Sequence, residues 1–82
     1  MTETERRQRI HELEVTLHVG KGGIDPVVDE LADQLGERQF VKAKFLRAAR
    51  GGTTTGELAS ELAGRVDAEV VRTRGHTAVF ER

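Results

Sequence analysis

The chain has 82 residues, 37% of them hydrophobic, and a formal net charge of −1 from 13 Lys+Arg against 14 Asp+Glu. That length suits one small domain with a thin core; the absence of cysteine excludes disulfides, thiolate metal sites and thiol chemistry. No apolar run approaches the roughly 20 residues of a membrane-spanning helix, and the charged opening Met1-Thr2-Glu3-Thr4-Glu5-Arg6-Arg7 does not read as a secretory leader, so the expectation is a cytoplasmic protein with no membrane partner.

Residues 1–4 read as a flexible N-terminus. Residues 5–13 carry Ile10 and Leu13 at helical spacing among Arg6, Arg7 and Arg9, which predicts a short helix. Glu14, Thr16 and His18 then alternate with Val15, Leu17 and Val19, the period-two pattern of a half-buried strand over 14–19. Next comes the most informative run of the chain, Val19-Gly20-Lys21-Gly22-Gly23-Ile24-Asp25-Pro26. It joins a strand to a helix start. Glycine lets another molecule approach the backbone closely, and loop amides with a mobile lysine form a seat for phosphate. Asp25 reads as the N-cap of the following helix and Pro26 as its first residue. An aspartate there places negative charge at the helix end, so a phosphate must be held by the loop amides and Lys21.

Val27, Val28, Leu31, Ala32 and Leu35 make an apolar stripe on a helix over 26–35, with Gly36 placed to end it in a left-handed turn. A second strand runs from Phe40 to Leu46, with Val41, Ala43 and Phe45 on one side and Phe40, Lys42, Lys44 and Leu46 on the other. The Arg47–Thr53 stretch is a loop. Thr54-Thr55-Gly56-Glu57 matches a capping box and opens a helix reaching about Val66. Glu69–Arg74 and Thr77–Glu81 read as a β-hairpin about Gly75-His76. The order is α-β-α-β-α-β-β. Helical crossovers favour parallel pairing and the short last link requires antiparallel pairing. The expected fold is therefore a single compact α/β domain, a four-stranded mixed sheet packed with helices.

The functional residues separate from the structural ones by charge and phase. Lys21, Lys42 and Lys44 are all the lysines present; one lies in the glycine loop and two on a strand. Alternation places Lys42 with Lys44, Arg72 with Arg74, and Thr16 with His18. If the register joins them, they line one basic face beside the Gly20–Gly23 loop and give phosphate contacts without reading sequence. Acids collect elsewhere: Asp29, Glu30, Asp33 and Glu37 on one predicted helix, Glu57 and Glu61 on another. Enzyme chemistry finds no constellation. His11, His18 and His76 fall on separate elements, Ser60 lacks nucleophile-elbow glycines, and Gly20-Lys21 lacks the spacing of a P-loop. The expectation is a non-enzyme without cofactor, metal or small-molecule substrate. Of the aromatics Phe40, Phe45 and Phe80, alternation leaves at best Phe40 or Phe80 for base stacking, which favours backbone and shape recognition of folded RNA.

The strand–Gly-x-x-Gly–helix run Val19-Gly20-Lys21-Gly22-Gly23-Ile24, the strand Phe40-Val41-Lys42-Ala43-Lys44-Phe45 and the hairpin Arg74-Gly75-His76-Thr77-Ala78-Val79-Phe80 together resemble the YhbY/CRM (chloroplast RNA splicing and ribosome maturation) family, over residues from about 8 to 82. The resemblance implies an RNA-binding domain over 1–82 similar in fold to the C-terminal domain of translation initiation factor three. It implies structured ribosomal RNA of the large-subunit precursor as partner. By analogy it gives Gly20, Lys21, Gly22 and Gly23 the role of an RNA-backbone contact, with Lys42 and Lys44 beside them; Arg72 and Arg74 extend the set by strand alternation. Two other readings stand beside it. The acidic helix and near-neutral charge fit a protein-interaction module within an assembly, and a small α/β fold with a basic loop also fits an Alba-like DNA-binding chromatin protein.

Overall fold

The structure is a computed structural model and describes residues 2–82. Its elements are α1 (Glu3–Glu12), β1 (Val15–Val19), α2 (Val28–Glu37), β2 (Phe40–Phe45), α3 (Thr55–Val66), β3 (Glu69–Arg74) and β4 (Thr77–Glu81), with single 3₁₀ turns at Asp25–Val27 and Arg47–Ala49. This is the expected α-β-α-β-α-β-β order.

The four strands form one mixed sheet in the order β1-β2-β4-β3. β1 pairs parallel to β2 across the α2 crossover. β4 then returns antiparallel against both β2 and β3. The α3 crossover therefore skips one position, and the hairpin inserts its second strand into the gap. Gly75 takes φ 57° at the first position of the two-residue turn, the position that type II′ hairpins give to glycine.

Period-two alternation sorts the side chains into two layers. Leu17 and Val19, Val41, Ala43 and Phe45, and Ala78 and Phe80 face α2 and α3, which contribute Leu31, Leu35, Ala59 and Leu62 to the main core. Phe40 and Val79 face the other way and meet Ile10 of α1, with Leu13 and Val71 around them. The domain is thus α/β/α, with α1 alone on the second face.

Local sequence explains the helix ends, with three departures. Thr2 accepts a hydrogen bond from the Glu5 amide and caps α1, so residues 2–4, expected to be flexible, are the cap and first turn of a helix; residue 1 lies outside the described residues. Asp25 does not cap α2. The chain makes a 3₁₀ turn through Asp25–Val27 first, α2 starts at Val28, and the Asp25 carboxylate pairs with Arg65 of α3 at 3.0 Å. Gly36 keeps a right-handed conformation inside α2, which ends only at Glu37, and Ala32 lies exposed off the apolar stripe. The Thr54 cap of α3 forms as expected, its hydroxyl accepting from the Glu57 amide at 3.1 Å, while the Glu57 carboxylate accepts from the Thr53 hydroxyl at 2.6 Å.

Candidate nucleic-acid interface

Three segments converge beyond the C-terminal ends of the parallel strands. The Leu46 amide donates to Val19 O at 2.8 Å, which joins the end of β1 to that of β2. The Phe45 amide donates to His76 O at 2.7 Å, which brings the β3–β4 turn to the same end. Arg50 folds back and donates from Nε to Phe45 O at 3.0 Å, seating the Arg47–Thr53 loop there as well. Crevices outside the carboxyl ends of strands are where open α/β sheets usually hold ligands.

The Gly20–Gly23 loop occupies the β1 end of this pole. The Gly23 amide closes the turn on Gly20 O at 2.9 Å, with Gly23 at φ 76°. Lys21 is exposed at the tip. Among the described residues, neither the Lys21 nor the Gly22 amide donates to a protein acceptor, so both remain available to a ligand. A Cβ on Gly22 would stand 3.0 Å from Pro26 Cγ, whereas one on Gly20 would meet only Leu46 Cδ1 at 3.7 Å. Leu46, 39% exposed, is the one large hydrophobic side chain left open among the described residues, and it lies against this loop.

Strand register places the other four expected site residues on one face in two rows. One row runs Lys42, Val79, Arg72 across β2, β4 and β3. The next runs His18, Lys44, Thr77, Arg74 across all four strands. Two strand spacings separate each lysine from its arginine, about 10 Å, and the whole second row spans about 14 Å. The Gly20–Gly23 loop continues from the β1 edge of that row, so it sits beside Lys44 and Leu46 and at the far side from Arg74.

Two expectations about this face are corrected. Thr16 does not share it with His18. The ladder slips between Val15 and Leu17, and Thr16 turns toward α2, donating to Gln34 Oε1 at 2.6 Å. No phenylalanine is open for base stacking: Phe80 is 0% exposed in the core, and Phe40 is 3% exposed beneath α1, with the Arg6 and Arg9 guanidinium carbons 5.6 and 5.7 Å from its ring centroid. Arg6 also holds Glu81 at 2.5 Å, and this contact raises the Arg6 pKa above its ordinary value.

The pole carries Arg47 and Arg50 in addition to the predicted residues. The signal for them was present in the sequence: segments 16–24, 43–56 and 71–78 contain Lys21, Lys44, Arg47, Arg50, Arg72 and Arg74 and no aspartate or glutamate. Among the described residues the ion pairs are Arg6–Glu81, Arg7–Glu3 and Arg65–Asp25, none of them at the pole's own cations. A domain with net charge −1 therefore carries six cations in these three segments with no intramolecular ion pair among the described residues. Among the described residues no cluster of three His, Asp or Glu side chains could hold a metal, and no helix is long and apolar enough to cross a membrane.

A small α/β domain with a glycine loop opening onto a basic sheet face is the class of module that this architecture defines. The family model for the CRS1/YhbY (CRM) domain matches residues 1–82, and the chain belongs to that family. It is 40% identical over 76 residues to the probable RNA-binding protein MJ0652 of Methanocaldococcus jannaschii, covering 93% of this chain but only 57% of that protein. The fold is similar to the solution structure of the hypothetical protein SAV1595 from Staphylococcus aureus, a candidate RNA binder, with TM-score 0.74 and 27% identity over 93% of this chain and 78% of that one.

Proposed function

We propose that this chain is a non-catalytic RNA-binding domain that grips the backbone of structured RNA, and that its partner in the cytoplasm is ribosomal RNA of the large-subunit precursor. The observation that carries the reading is the pole where three acid-free segments converge, placing Lys21, Lys44, Arg47, Arg50 and Arg74 at one end of the sheet with the free loop amides. Family membership and the RNA-binding name of the archaeal relative support it. Amides of Lys21 and Gly22 take one phosphate, Lys21 neutralises it, and the Lys44–Arg74 and Lys42–Arg72 rows take the neighbouring ones. Buried phenylalanines leave no platform for sequence-selective stacking on the sheet, so backbone and shape carry the recognition.

Lys21→Glu and Lys44→Glu change exposed side chains with no intramolecular ion pair. Each should weaken binding to a folded ribosomal RNA fragment by about tenfold and lower the slope of log affinity against log salt by about 1, with thermal stability unchanged. The measurement is filter binding across a salt series. Affinity that survives both substitutions, or a flat salt response, would remove the pole from the interface. Equal competition by duplex DNA would favour the chromatin-protein reading instead.

A further inference from the structure

The basic face does not end at Arg72. A cleft of about 220 Å³ lies over Lys42, Arg72 and Arg74, floored by Val79 and walled by Ile10 and His11 of α1. It opens into a second cleft of about 640 Å³ between α1 and β3, which shares Ile10, His11 and Arg72 with the first. The β3 bulge makes this junction. The ladder slips between Val70 and Arg72, so Val71 joins the Ile10–Phe40–Val79 cluster while Arg72 pairs across from Val79 on that same face. The resulting groove has an apolar floor of Ile10 and Val71, a planar imidazole and a planar guanidinium at its walls, and cations where it meets the face. Its two carboxylates are engaged along α1, Glu3 by Arg7 at 3.2 Å and Glu12 by Gln8 at 2.8 Å.

We infer that the α1–β3 groove is a binding site for an unpaired nucleotide leaving the structured RNA held at the pole. This inference rests on the RNA-binding reading and deepens it. A volume of this order accommodates a small ligand, whereas paired strands keep their base faces stacked inside and offer none to it. Unpaired bases pack on apolar and planar side chains, imidazole and guanidinium included, and His11 and Arg72 supply those planes where the sheet supplies no open aromatic. Lys42 and Arg74 hold the phosphates on either side of the base, in line with the rows that grip the paired region. The footprint therefore runs from the Gly20–Gly23 loop across the sheet to α1.

The test compares three fluorescent RNAs on the full chain: a blunt hairpin, the same hairpin with a short single-stranded 3′ or 5′ overhang, and the overhang hairpin with abasic overhang positions. The overhang should raise affinity by about tenfold, the size of one base stack, and the abasic version should lose that gain while keeping its phosphates. His11 is exposed, so His11→Ala leaves the fold intact, and the ratio of overhang to blunt affinity should fall to about one. A photo-crosslinking base in the overhang should mark residues 10–12 or 71–72. An overhang that adds nothing, a gain kept by the abasic probe, or a ratio unchanged by His11→Ala overturns the groove assignment, while binding of the blunt hairpin still sustains the RNA reading. Failure of the unaltered chain to bind any of the three overturns both.

Discussion

At the scale of single residues, the glycine loop separates structural from functional demand. Gly23 needs its positive φ, and Gly22 lies so close to Pro26 that any side chain would displace the ring. Gly20 has neither constraint: its φ is not positive and an added Cβ makes ordinary van der Waals contact with Leu46. Gly20→Ala should therefore change stability by less than about 0.5 kcal/mol. It should nevertheless lower RNA affinity by about tenfold, because a methyl group holds an approaching phosphate off the loop amides. Thermal denaturation and filter binding of the same preparation check both halves, and a loss of stability equal to the loss of binding would remove the functional role. Asp67 is the converse case. It ends α3 at φ 59° and places a negative charge at the helix C-terminus. Asp67→Gly relieves both and should stabilise the domain by about 1 kcal/mol, raising Tm by about 4–8 °C for a chain of this size.

At the scale of elements, the β3 bulge decides what the hairpin offers. Val70 faces the core, and strict alternation from Val70 would carry Arg72 and Arg74 inward with it. The extra residue at Val71 resets the phase, so both arginines leave the core face and line up with Lys42 and Lys44. Deleting Val71 removes the bulge but leaves Arg72 opposite Val79 and Arg74 opposite Thr77, so both arginines should stay on the outer face. The variant should lose only the Val71 contact with the Ile10–Phe40–Val79 cluster, a cost of about 1–3 kcal/mol with unfolding by circular dichroism still cooperative. Loss of the cooperative transition, or of RNA affinity, in this variant would show that β3 does not keep that register once Val71 is gone. The element most visible in the sequence was the hairpin itself, because Gly75 and the alternation on either side act locally. The bulges were not visible: a slipped ladder depends on the partner strand, and neither Val15-Thr16-Leu17 nor Val70-Val71-Arg72 carries a glycine to mark it. Helix α2 was displaced at its start for a similar reason. Asp25-Pro26 is a good local cap signal, but Arg65 on another helix takes the aspartate and a 3₁₀ turn takes its place.

At the scale of the whole molecule, the net charge of −1 and the basic pole are compatible because charge acts locally in salt. The domain measures 37 × 24 × 18 Å, whereas fields between exposed groups decay over about 8 Å at physiological ionic strength. Asp33 and Glu37 are exposed on the second half of α2, on the far face of the sheet. Asp33→Lys with Glu37→Lys should therefore alter RNA affinity far less than Lys21→Glu with Lys44→Glu, although both pairs shift net charge by the same amount in opposite directions. Comparable effects from the two pairs would mean that overall charge, not the pole, governs binding. The sequence by itself determined the elements, the glycine loop, the family and the shared strand face of Lys42 and Lys44, since period, turn chemistry and spacing are local properties of the chain. Only the tertiary structure decided the strand order β1-β2-β4-β3, the phase of Arg72 and Arg74, the burial of Phe40 under α1 and the arrival of Arg47 and Arg50 at the pole. Each of those is set by which distant segments pair and pack, and the free energy of that choice is distributed over contacts that no short stretch of sequence contains.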